Sequence, residues 1–68
     1  MNVEIANKLV KLRKQMGLSQ EELAEKTQVT RQTIIAIEKN KYIPSLELAL
    51  KFAIVFREKI ENIFEYKK

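Results

Sequence analysis

Ser19-Gln20-Glu21-Glu22-Leu23-Ala24-Glu25-Lys26-Thr27-Gln28-Val29-Thr30-Arg31-Gln32-Thr33-Ile34-Ile35-Ala36-Ile37-Glu38 contains two helix starts close together in one chain. Ser19-Gln20-Glu21-Glu22 has the form of a capping box: Ser19 accepts a hydrogen bond from the Glu22 backbone, and the Glu22 carboxylate reaches back. The helix it opens runs only to about Thr27. There Gln28-Val29-Thr30 brings in a second cap candidate, Thr30, ahead of Arg31-Gln32-Thr33-Ile34-Ile35-Ala36-Ile37-Glu38. Two helices joined by so short a turn cross at about 90 to 120°, and the crossing needs a small residue, which Ala24 supplies. Leu23, Val29, Ile34 and Ile37 then face a shared core.

Upstream, Ile5, Leu9, Leu12 and Met16 recur at helical spacing with Lys8, Lys11, Lys14 and Gln15 between them, which predicts an amphipathic first helix. Asn7 is its candidate N-cap, and Gly17 suits the left-handed position past its end. Downstream, Asn40 and Lys41 close the third helix, Pro44 keeps Ile43 extended, and Ser45 caps a fourth. The fourth helix carries Leu46, Ala49, Leu50, Ala53 and Phe56 on one face and Leu48, Phe52 and Val55 on a second stripe. That excess fits a helix packed both in its own domain and near a subunit interface, and it equally fits a central core helix without a partner. A strand over Phe52-Ala53-Ile54-Val55-Phe56 is a third reading, disfavoured by the cap at Ser45 and the segment length. Ile60, Ile63 and Phe64 predict a short fifth helix. Period-two alternation of Val3 with Ile5, and of Phe64 with Tyr66, would let the two termini pair as a small sheet.

With one Gly, one Pro and no low-complexity tract, the chain reads as one domain over residues 1–68, its central motif at about 20–39. A chain of this length buries only about 60% of the surface it exposes when unfolded. It has no Cys to staple it and no His to help a metal do so, so a second copy is the expected source of further burial. The lack of Cys and the start Met-Asn-Val-Glu-Ile, which has no charged-then-apolar signal pattern, make the cytoplasm the expected location. The longest apolar run, Phe52 to Phe56, is far short of the roughly 18 residues of a membrane span. A net charge of +4 favours polyanionic partners, although many small proteins carry such a charge only to stay dispersed. Without His or Cys, and with Ser19 and Ser45 both in capping positions, no catalytic set is expected. The acidic residues lack metal-loop spacing and one glycine cannot build a phosphate loop. No metal, cofactor or small-molecule ligand is expected.

The runs Ser19-Gln20-Glu21-Glu22-Leu23-Ala24, Val29-Thr30-Arg31-Gln32-Thr33-Ile34 and Ile37-Glu38 resemble the Cro/repressor-like helix-turn-helix family, also called the XRE family. The resemblance continues through Leu12-Arg13, Gly17-Leu18, Pro44-Ser45-Leu46 and Ile63-Phe64, and so covers nearly the whole chain. The run from Arg31 to Leu46 is similar to stand-alone minimal members, which act as homodimers and add a small terminal β-sheet to five helices. The resemblance implies an all-α, five-helix fold. It also implies a dimeric, sequence-specific binder of double-stranded DNA, a regulator expected to repress from a near-palindromic operator. Two departures stand out: Gln28 occupies a turn position where relatives often have Gly, and Arg57-Glu58-Lys59 blurs the boundary between helices four and five.

A recognition helix offers its N-terminal residues to the major groove while the preceding helix crosses the phosphates. Thr30, Arg31, Gln32 and Thr33 occupy that end. Gln32 can pair with adenine N7 and N6 in one plane. Arg31 suits either guanine O6 and N7 or a phosphate. Thr33 offers a hydroxyl and a methyl to backbone or thymine, or else it fills the first turn. Ile35 is either a thymine-methyl contact or an ordinary surface hydrophobe. In the family, a Gln at the position of Gln20 holds a phosphate at the positive end of its helix. Asn40, Lys41 and Tyr42 suit phosphate contacts as the chain leaves the groove, whereas Lys39 and Lys41 could equally stabilise the helix dipole. The competing class is a protein-interaction module such as an antitoxin or anti-repressor. Such a surface on helix three would be richer in exposed aromatics, and the polar residues there favour DNA.

Overall fold

The computed structural model describes residues 4–67; Val3, expected beside Ile5 in a terminal strand, lies outside them. The order is β1 (Glu4–Asn7), α1 (Leu9–Gln15), α2 (Gln20–Thr27), α3 (Arg31–Glu38), α4 (Leu46–Phe56), one 3-10 turn (Ile60–Asn62) and β2 (Phe64–Lys67). The strands pair antiparallel with Ile5 opposite Tyr66 and Asn7 opposite Phe64, so the termini do form a small sheet.

Local chemistry sets each helix boundary. Ser19, Thr30 and Ser45 each accept a hydrogen bond from the backbone N–H three residues on, and Ser19 with Glu22 closes the full capping box. The four helices end alike, each with a following residue at positive φ: Gly17, Gln28, Asn40 and Arg57. In each case the next residue's N–H returns to a carbonyl five residues back, as from Leu18 to Arg13 and from Val29 to Ala24, which satisfies carbonyls the helix end would leave open.

The core gathers Leu9, Leu23, Ala24, Ile34, Ile37, Leu48, Phe52, Phe56 and Ile63, with Leu12, Leu18, Val29, Ala53, Val55 and Phe64 packed against it. The expected inward set Leu23, Val29, Ile34 and Ile37 is therefore where the motif places it. The buried hydroxyl of Thr27 donates to the Leu23 carbonyl at 2.8 Å, so burial leaves it no unmet hydrogen bond.

Four expectations need correction. The helix count is four and not five: among the described residues there are four α-helices, and the fifth reduces to the 3-10 turn. The apolar residues there are drawn elsewhere, Ile63 into the core and Phe64 into β2, where its ring lies 6.2 Å from that of Phe52. Ile5 belongs to β1 and not to the first helix. Met16 caps the end of α1 and is exposed. On α4 the core takes Leu48, Ala49, Phe52 and Phe56, while Leu46 and Leu50, grouped above on one face with Ala49, Ala53 and Phe56, part from them and point outward. Leu46, Leu50 and Ile54 are 71%, 48% and 76% exposed, an apolar stripe along one side of the helix. The strand reading of Phe52 to Phe56 is excluded, since the segment is helical. Among the described residues, no helix is long and apolar enough to cross a membrane.

Candidate nucleic-acid interface

The first turn of α3 stands clear of the core. Thr30, Arg31 and Gln32 are exposed and Thr33 and Ile35 are half-buried, whereas Ile34 and Ile37 on the opposite side are fully covered. The split follows from helical spacing: three-residue steps repeat the buried face and leave the intervening side chains outside. Thr30 accepts from the Thr33 N–H at 3.3 Å, and the two hydroxyls lie 3.1 Å apart. Both threonines thus have a structural role in starting the helix, with their hydroxyls still at the surface. Asn40, Lys41 and Tyr42 follow at the other end of α3, all exposed.

Sequence reading missed what holds α3 in place. Arg13 of α1 donates through Nε to Glu38 Oε2 at 2.7 Å and through Nη2 to Glu38 Oε1 at 3.4 Å; its Nη1 donates to the Leu18 carbonyl at 2.9 Å. Gln20 of α2 donates through Nε2 to the same Glu38 Oε1 at 2.9 Å. One carboxylate therefore ties the last residue of α3 to both preceding helices. The side chains of Arg13 and Glu38 are only 11% and 6% exposed, so water does little to weaken the pair. The available signal was a charge beside a core residue, Arg13 after Leu12 and Glu38 after Ile37.

Gln20 is thus half-engaged. It lines, with Arg13, Ser19, Glu21 and Arg31, a shallow groove of about 360 Å³ between the starts of α2 and α3. Its second side-chain N–H and the first backbone N–H groups of α2 remain open donors at the positive end of the helix, a setting that suits an anion. Glu22 sits on the same turn, and its carboxyl is held below the usual range, first by the Ser19 backbone N–H and then by the Ser19 hydroxyl. The structure brings Gln20 and Arg31 to one groove, places Gln32 beside them on the first turn of α3, and sets Asn40, Lys41 and Tyr42 at the far end of that helix. Among the described residues, no three His, Cys, Asp or Glu side chains converge as a metal site.

Comparison with known proteins agrees with this geometry. The family profile described as Helix-turn-helix matches residues 9–63. An uncharacterized HTH-type transcriptional regulator of Methanocaldococcus jannaschii is 59% identical over 61 residues, covering 90% of this chain and 92% of its own. Another, YgzD of Bacillus subtilis, is 53% identical over 58 residues, covering 85% and 88%. Among solved structures, the restriction-modification controller protein C.AhdI from Aeromonas hydrophila superposes with a TM-score of 0.75 at 31% identity, covering 81% of this chain and 83% of that one. The chain belongs to the helix-turn-helix family of Cro/repressor (XRE) type, whose members are DNA-binding transcriptional regulators and not enzymes.

Proposed function

We propose that this protein binds a near-palindromic operator as a homodimer and represses transcription by occluding the promoter. The observation that carries the reading is the exposed, polar first turn of α3, held on a frame locked by Glu38 to α1 and α2. With α3 in the major groove, Gln32 reads a base through its amide, and Arg31 pairs with a guanine or the adjoining phosphate. Thr30, Thr33 and Ile35 offer hydroxyl and methyl contacts alongside. Gln20, with the open N–H groups of α2, grips a phosphate on one side, and Asn40, Lys41 and Tyr42 contact the backbone on the other.

The second copy packs on the stripe of Leu46, Leu50 and Ile54, where water would otherwise meet three large apolar side chains in a row. The domain spans residues 1–68 and works in the cytoplasm on DNA, without cofactor or effector. Control then acts through abundance, dimerisation or a partner protein.

The test is binding of parent and Gln32→Ala to duplexes that differ at single base pairs. Direct readout requires that Gln32→Ala lose discrimination by roughly 1 to 3 kcal/mol at one position in each half-site and leave the others unchanged. Equal weakening on every duplex would remove Gln32 from base reading.

A further inference from the structure

Asn7 joins three elements through one carboxamide, and its neighbours fix which way round that group lies. Its Oδ1 accepts from the Leu9 backbone N–H at 3.0 Å, and its Nδ2 donates to the Ile37 carbonyl at 2.9 Å. A backbone N–H only donates and a carbonyl only accepts, so the Asn7 amide has one allowed orientation. Its remaining N–H meets Asn40, and the atom it meets, 2.9 Å away, is Asn40 Oδ1. An Asn40 turned over would set two amino groups face to face. Oδ1 of Asn40 is therefore held inward, and Nδ2, which has no hydrogen-bond acceptor among the described residues, is held outward.

The backbone supports the same arrangement. Asn40 stands at φ 58°, its own N–H donating to the Ile37 carbonyl that also receives Asn7, while the Lys41 N–H returns to Ala36. Asn7 reaches this point because it lies opposite Phe64 in the sheet, on the side that packs toward Phe52.

We infer that Asn7 is a positioning residue for DNA binding, which turns the Asn40 carboxamide so that its two N–H donors face the phosphate backbone. This rests on the reading of Asn40 as a backbone contact. A phosphate accepts hydrogen bonds and cannot donate them, so an Asn40 amide turned the other way would present oxygen to oxygen. The chain's amino-terminal strand, which touches no DNA in this arrangement, thereby sets the polarity of a contact made beyond α3.

Asn7→Ser keeps an oxygen that can cap Leu9 but is too short to hold Asn40. Affinity for duplex DNA is measured at fixed salt for the parent, Asn7→Ser, Asn40→Ala and the double variant, with folding of each checked by its thermal transition. Asn40→Ala is expected to lose about tenfold, the scale of one hydrogen bond to a charged group. Asn7→Ser should lose several-fold, and the double variant should bind no worse than Asn40→Ala alone. Additive losses, or Asn7→Ser binding like the parent, would overturn the inference. A parent that binds no duplex would instead remove the DNA reading beneath it. The orientation is judged without DNA by side-chain amide exchange in the free protein: slow at Asn7 and fast at Asn40 supports it, and equal rates contradict it.

Discussion

Gln28 holds a left-handed backbone, φ 61° and ψ 40°, at the turn between α2 and α3. For a residue with a Cβ this costs about 1 to 2 kcal/mol, and glycine relieves that strain while adding roughly 0.5 to 1 kcal/mol of unfolded-state entropy. Gln28→Gly also gives up an exposed contact from Lys51 Nζ, which is worth little. The expected net is a stabilisation of about 0.5 kcal/mol, seen as a small rise in thermal midpoint; a fall would mean that the Gln28 side chain matters more than its backbone. Glu22 carries a pH signature. Its carboxyl is depressed by the Ser19 N–H, so its stabilising effect is complete above the ordinary carboxylate range and is lost as pH falls from that range through its own, lower, titration. Glu22→Gln, which can still accept from Ser19, should flatten this part of the thermal midpoint against pH between neutral and about pH 3. An unchanged acid limb would assign the pH dependence to other groups. The caps Ser19, Thr30 and Ser45 and the left-handed Gly17 could be read from the sequence because their partners lie within a few positions. The hydrogen bond from Asn7 to Asn40 could not, since it joins residues that only the folded chain brings together.

At the scale of elements, the frame around α3 depends on one buried ion pair. Removing a partner from such a pair leaves the other charged and unpaired, which costs about 3 kcal/mol or more. A 68-residue chain has a total stability of only about 5 kcal/mol, so Glu38→Ala should leave the fold marginal. Chemical denaturation would show it; a loss under about 1 kcal/mol would mean that Arg13 finds water instead. Helices α2 and α3 were legible because caps and periodicity agreed over that stretch, even with Gln28 where the turn favours glycine. The fifth helix was not, because Ile60, Ile63 and Phe64 are spaced equally well for a helix turn and for a core plug followed by a strand. What decided between them was a long-range contact, the Lys8 N–H on the Ile63 carbonyl together with the pairing of β1 and β2. On α4 the two apolar stripes were evident, but which one faces inward depends on where α2 and the 3-10 turn pack, and no local pattern encodes that.

For the whole molecule, the proposed dimer rests on the face of Leu46, Leu50 and Ile54. Because Ile54 is 76% exposed, Ile54→Lys should leave protomer stability within about 0.5 kcal/mol of the parent. It should also shift sedimentation from dimer to monomer, by placing a charge where a second copy packs. A variant that stays dimeric would move the interface to another face. Two recognition helices in such a dimer sit about 34 to 36 Å apart, which fixes the spacing of the sites they read. Selection of bound sequences from random duplex DNA decides whether the protein reads an operator as a dimer. The expected result is a near-palindrome with half-sites one helical turn apart, bound far more tightly than random duplex at the same salt. Recovery of no consensus, with weak binding that collapses as salt rises, would contradict it and turn attention to a protein partner.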